Sequence, residues 1–234
     1  MRAAVSFLTV VGRARPPGPG TLDWFPLVGT VLGLVLGGLW WLVVRAWPAP
    51  VAAALVVAAD LGLTGMLHLD GVVDSADGLL APMDRNRRLQ VMAAPEAGAF
   101  GTGAAAVLLL LRWSSLAVLR PGILLLGALW CLSRTLIAAV ARTRPYARDR
   151  GGLADAFRGP VRWPVVLVGL AGGAALAAAW KVGPGLSAAA AALAAGIAVV
   201  VLAERRLGGY TGDVLGAGVF VAETAGLLVA AAKW

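Results

Sequence analysis

Three carboxylates crowd the run His68-Leu69-Asp70-Gly71-Val72-Val73-Asp74-Ser75-Ala76-Asp77-Gly78. Their spacing of i, i+4 and i+7 places them within about 60° of arc on one face of an α-helix. Like charges so arranged repel, and the pattern calls for a cation. Mg²⁺ suits it, because this hard ion takes oxygen ligands and bridges one or two carboxylates to substrate phosphates. Asp70, Asp74 and Asp77 are therefore the candidate metal ligands. Gly71 and Gly78 lie beside that face, one heptad apart, where a missing side chain lets a phosphate approach the backbone. The plainer alternative is a solvated acidic helix end. His68 points away from the aspartates on a regular helix; it is either structural, or a base or phosphate contact.

The complementary chemistry is cationic. Arginine presents a planar fork that matches phosphate oxygens. Ser133-Arg134 lies in an apolar stretch, where a desolvated guanidinium needs an anion. Downstream come Arg142, Arg144, Pro145, Tyr146, Ala147, Arg148, Asp149 and Arg150. Arg134, Arg144 and Arg148 are read as phosphate ligands, and Arg158 and Arg162 as ordinary loop charge. The run Gly208-Gly209-Tyr210-Thr211-Gly212-Asp213 offers Thr211 and Asp213 to a phosphate or metal; the same residues also make a turn and an N-cap. Asp60 is an acid inside an apolar stretch, functional by default unless paired with Arg134 or a hydroxyl. On one helix continuous with the acidic run it would lie roughly 15 Å below Asp70.

These residues need a scaffold, and composition says which. The chain has 234 residues, 60% of them hydrophobic and 14% charged, with a mean hydropathy of +0.85. Soluble domains average about 25% charged residues, so neither a disordered chain nor an ordinary soluble domain fits. The net charge of +8 would by itself suit nucleic-acid binding, so the placement of the charges decides. A membrane span needs about 20 mostly apolar residues. Seven stretches qualify: 26–46, 51–69, 98–118, 122–141, 163–181, 186–203 and 214–233. Pro48 with Pro50, Pro121-Gly122 and Gly183-Pro184-Gly185 read as tight turns at one set of ends. The long charged connections, 70–97, 142–162 and 204–213, fall on the other side with the N-terminus.

Fourteen of the twenty basic residues lie on that side and four on the opposite one. By the positive-inside rule the richer side is cytoplasmic, with the N-terminus inside and the C-terminus outside. The reading is an all-α polytopic membrane protein, one integral domain over 1–234, with lipid around it and no nucleic-acid partner. Ten of the twelve acids share the cytoplasmic side, so any catalytic face is expected there. Segment 83–92 reads as a short interfacial helix. Cys131, the single cysteine, permits no disulfide within the chain and no cysteine-based metal site.

Four stretches, in order along the chain, resemble one family, the cobalamin synthases, which are adenosylcobinamide-GDP ribazoletransferases. Phe7-Leu8-Thr9 with Phe25-Pro26-Leu27-Val28-Gly29 is similar to the family N-terminus. Leu63-Thr64-Gly65 through Gly78 matches its acidic signature, Ser133-Arg134 with Pro145-Tyr146-Ala147-Arg148 its next block, and Gly208 to Ala217 its last. The chain departs from the family at Ala94, where a carboxylate is usual, and at Glu96, where a basic residue is common; Glu96 either takes over a metal role or that carboxylate is dispensable. The resemblance implies a Mg²⁺-dependent enzyme of the cytoplasmic inner membrane. The 3′-hydroxyl of α-ribazole, or of its 5′-phosphate, attacks the cobinamide-side phosphorus of adenosylcobinamide-GDP, and GMP leaves. Asp77, or else His68, would take the hydroxyl proton. Two rivals stand beside this: a CDP-alcohol phosphotransferase, whose downstream aspartate pair and Ala-Arg step are missing after Asp77-Gly78, and a transporter using Asp60 with Arg134.

Overall fold

A computed structural model describes residues 1–18, 20–148, 157 and 162–234. Among them the chain forms ten α-helices: α1 Arg2–Leu8, α2 Phe25–Val43, α3 Ala49–Leu63, α4 Leu67–Leu80, α5 Arg85–Val91, α6 Ala99–Val118, α7 Ile123–Thr143, α8 Trp163–Trp180, α9 Val182–Leu207 and α10 Gly212–Ala230. A short 3₁₀ turn, Leu22–Trp24, leads into α2. Six helices (α2 with its leading turn, then α6 to α10) are each long and apolar enough to cross a membrane. Helices α3 and α4 qualify only as a pair. That gives six candidate crossings, or the seven expected from the apolar stretches if the bent pair counts as one span. Large apolar side chains such as Leu110, Val118 and Val168 point outward, as a lipid-facing surface requires, since lipid and not water is their solvent.

Inside the bundle, small residues set the helix spacing. Gly29, Gly33 and Gly37 recur every fourth residue on α2 and face the α7 backbone; a Cβ on Gly37 would sit 2.6 Å from the Ile123 Cα. Such small-residue stripes let membrane helices approach closely. Helix α7 is consequently the central one, buried along most of its length. The sequence placed a turn at Gly183-Pro184-Gly185, but α9 already begins at Val182, directly after Lys181. Proline is tolerated there because first-turn amides have no intrahelical partner to lose.

The second expected span needs a larger correction. Asp60 and Asp70 are not on one continuous helix. The chain breaks at Gly65 and Met66, both in the left-handed region with φ +58° and +59°, and α4 leaves at 87° to α3. Gly65 accepts that conformation freely, whereas a bulky residue such as Met66 does so only under tertiary constraint. Helix α4 then runs across the first turns of α10 and α6. Arg88 of α5 holds its far end, with Nη1 donating to the carbonyls of Gly78 at 2.6 Å, Leu79 at 3.1 Å and Ala81 at 2.9 Å. The short helix foreseen within 83–92 is present as α5, capped by Asp84, whose Oδ1 accepts from the amides of Asn86 and Arg87.

Four charges tie α3, α6, α7 and α10 together within the spans. Arg112 donates to Asp60 at 2.5 Å and to Glu223 at 3.0 Å, and its Nε reaches Thr224 at 3.2 Å. Trp130 Nε1 also donates to Asp60, at 3.2 Å. Arg134 pairs with the other oxygen of Glu223, which accepts from Ser133 at 2.9 Å as well. This corrects two expectations. The anion beside Arg134 is a protein carboxylate on α10, not a phosphate, and the direct ion-pair partner of Asp60 is Arg112, not Arg134.

Candidate active site on the basic face

The four basic-face ends that matter, those of α4, α6, α9 and α10, are brought together by backbone geometry. Gly208 ends α9 in the left-handed conformation, φ +77°. Gly209 has no side chain because the Pro145 carbonyl lies where a Cβ would be. Segment 145–147 therefore docks on 209–210: Tyr210 N donates to Pro145 at 3.0 Å and Ala147 N to Tyr210 at 2.8 Å. Tyr210 adds a hydroxyl bond to the Ala141 carbonyl. From α5, Arg85 clasps both sides, with Nε to the Leu207 carbonyl and Nη2 to that of Ala147, each 2.7 Å. The effect is to hold Arg148 against α10, where its Nη2 lies 3.1 Å from Asp213 Oδ2.

Helix α4 reaches the same place through a glycine contact. A Cβ on Gly71 would lie 2.6 Å from the Asp213 carbonyl oxygen, and Gly216 faces the Cα atoms of Gly71 and His68. The two helices meet backbone to backbone, and a cleft of about 240 Å³ opens beside the crossing, lined in part by His68, Asp70, Gly71, Arg148, Gly212 and Asp213. Residues read separately from three stretches of sequence thus share one cavity. Asp74, half-buried one turn on, lies within electrostatic reach of Asp70, Asp213, Asp77 and Arg148. Three carboxylates and one guanidinium around a fourth carboxylate leave an excess of negative charge, which favours a cation.

Other expectations come out differently. Asp77 is buried at the start of α6, where its Oδ2 accepts from Gly98 N at 2.7 Å and its Oδ1 from Gly101 N at 2.9 Å. It serves the orphan amides of that helix. The space beside Gly78 is filled by the Met92 side chain, so no phosphate enters there; at Gly71 it is α10, not a ligand, that uses the missing side chain. Thr211 is the N-cap of α10, accepting from Val214 N at 3.3 Å. Arg144 is exposed and faces Glu204 at 3.5 Å. Glu96 is exposed in the connection before α6. Asp149, Arg150, Asp155 and Arg158 lie outside the described residues. His68 is 4% exposed, and neither ring nitrogen has a hydrogen-bond partner among the described residues. A buried imidazole beside a cleft with both nitrogens unused is costly unless a ligand or a water reaches it.

Among the described residues no three His, Cys, Asp or Glu side chains form a ready-made metal cage. Mg²⁺ does not need one, since it binds through one or two carboxylates and completes its shell with water and phosphate. Asp70 and Asp213 line the cleft and Asp74 lies within electrostatic reach of both, so one or two carboxylates are on hand there. Sequence reasoning overlooked the aromatic lining of the cleft, Phe7, Phe25, Tyr146 and Phe157; nothing in residue spacing joins positions so far apart. It also left Arg112 and Glu223 without roles, although a charge inside an apolar stretch is itself a signal.

Known proteins resemble this chain along nearly its whole length. Residues 1–231 match the family model described as cobalamin-5-phosphate synthase. An adenosylcobinamide-GDP ribazoletransferase of Chlorobaculum tepidum is 38% identical over 236 aligned residues, covering 96% of this chain and 90% of that protein. Another of the same name from Bradyrhizobium diazoefficiens is 36% identical, covering 99% and 93%. A third, from Thermosynechococcus vestitus, is 48% identical over a shorter region, 56% of this chain and 54% of that protein. No solved structure matches the chain.

Proposed function

Because the chain belongs to the cobalamin-5-phosphate synthase family and is thus a multi-pass membrane enzyme of cobalamin synthesis, we propose that its chemistry takes place in the cleft between α4, α10 and Arg148. The substrates are adenosylcobinamide-GDP and α-ribazole or its 5′-phosphate. The ribazole 3′-hydroxyl forms a bond to the cobinamide-side phosphorus, the phosphoanhydride bond breaks, and GMP leaves. The basic face is cytoplasmic in the inner membrane, as the charge asymmetry favours. The observation that carries this reading is the convergence of Asp70, His68, Arg148 and Asp213, from three distant stretches, on one cavity.

Diphosphate cleavage asks mainly for positioning and charge neutralisation. Asp70, Asp74 and Asp213 would hold Mg²⁺, which supplies electrostatic stabilisation of phosphate oxygens. Arg148 binds phosphate with the guanidinium nitrogens that Asp213 leaves free. His68, which lines the cleft and has no hydrogen-bond partner among the described residues, accepts the hydroxyl proton; Asp77, the first candidate from spacing, is committed to α6. Asp74→Asn should lower GMP release by a factor on the order of 100 or more without lowering thermal stability, since Asp74 is half-exposed, makes no side-chain hydrogen bond among the described residues, and is surrounded by like charge. A chelator should abolish turnover and Mg²⁺ restore it. Near-normal turnover of Asp74→Asn with adenosylcobinamide-GDP, or turnover of CDP-diacylglycerol by the native protein instead, would sink the assignment.

A further inference from the structure

The cleft has a second chemical character. Phe7 from α1, Phe25 at the head of α2, and Phe157 form a closed aromatic cluster on its wall. The rings of Phe7 and Phe25 lie 5.9 Å apart at 27°, Phe7 meets Phe157 edge-on at 4.9 Å, and Phe25 meets Phe157 at 5.6 Å. Phe25 and Phe157 are fully buried, while Phe7 is only partly so, so Phe7 presents ring surface to the cavity. Ile137 and Leu215 continue this apolar wall. The charged cluster of Asp70, Arg148 and Asp213 completes the cavity. One cleft thus offers an aromatic, water-excluding surface together with groups suited to a hydroxyl and a phosphate.

Size and polarity select the occupant. At about 240 Å³ the cleft falls below the roughly 300–1,000 Å³ of drug-sized sites. It has room for one base-and-sugar unit and none for a corrin macrocycle. Guanine carries a hydrogen-bonding edge, and burying that edge against phenylalanines would leave it unpaired, which is costly. A dimethylbenzimidazole has an alkylated edge with nothing to satisfy there. We infer that the Phe7–Phe25–Phe157 wall is the base subsite for the nucleoside acceptor: the flat benzimidazole of α-ribazole packs on Phe7, and its ribose hydroxyl lies toward His68 and the charged cluster. The corrinoid donor then stays outside the cleft and inserts only its diphosphate end. This rests on the cleft being the transfer site.

The test uses the full chain purified in detergent. Binding of α-ribazole 5′-phosphate alone is followed by the benzimidazole fluorescence, so no turnover is required. Phe7→Ala should weaken that binding by a factor on the order of 10, the scale of base–aromatic stacking, and Phe7→Tyr should restore it. In turnover, Phe7→Ala should raise the acceptor KM similarly and leave the donor KM unchanged. Unaltered acceptor binding in Phe7→Ala would overturn the subsite, and so would a rise in the donor KM alone, which would put guanine on this wall. The underlying reading fails separately: it falls if Asp74→Asn turns over normally, whatever Phe7→Ala does to binding.

Discussion

Glu223→Gln is the perturbation that best isolates what holds the spans together. Glu223 is 1% exposed and is, among the described residues, the only acid that touches both arginines, Arg112 at 3.0 Å and Arg134 through its second oxygen. Two carboxylates and two guanidiniums make the cluster formally neutral. Replacing Glu223 leaves one net positive charge in a low-dielectric layer, with Asp60 alone to answer two arginines. Removing one partner of a buried pair costs about 3–5 kcal/mol. At 2–4 °C per kcal/mol for a chain of this size, the expected fall in Tm is about 6–20 °C. The isosteric amide keeps a hydrogen-bond acceptor for Ser133, so the loss reports charge and not shape. The double variant Glu223→Gln, Arg134→Met restores neutrality and should recover most of the loss. Thermal unfolding in detergent, read by tryptophan fluorescence, measures both. A Glu223→Gln shift under about 2 °C would falsify the reasoning, as would a double variant no more stable than the single one.

Two further variants probe the site's frame. Gly71→Ala forces α4 off α10, because the new Cβ would meet the Asp213 carbonyl at 2.6 Å; overpacking of this kind costs about 1–3 kcal/mol, and GMP release should fall far more than Tm, which a plain comparison of the two readouts checks. Arg88→Met strips three carbonyls at the end of α4 of their donor, so a stability loss on the order of 2 kcal/mol is expected in a denaturation curve, with faster hydrogen exchange in 76–82 than elsewhere.

How much of this was legible in the residues depends on range. Apolar length reports the six long helices that qualify as crossings because lipid imposes that length locally. The i, i+4, i+7 aspartates are legible for the same reason, since one helical turn fixes their face. The corner at Gly65 and Met66 was not, because the left-handed conformation of Met66 is imposed by α4 docking on α10 and not by its own chemistry. Arg134 was misassigned because its requirement for an anion is local but the anion, Glu223, is 89 positions away in the chain. Thr211 shows the reverse case: its plain N-cap reading was available from sequence and proved correct. Asp77 falls between the two, on the expected face but diverted by the amides of Gly98 and Gly101.

The right-angle corner between α3 and α4 also changes what kind of surface the acidic helix is. Had the chain run straight on from α3, Asp70, Asp74 and Asp77 would have formed a ladder of about 10 Å, each rung at a different depth. Turned through 87°, α4 instead runs across the ends of α6 and α10, and the same residues lie side by side over that end of the bundle. Depth is exchanged for breadth. Anything larger than the cleft can then rest across that breadth, and only the part that reacts has to reach inside.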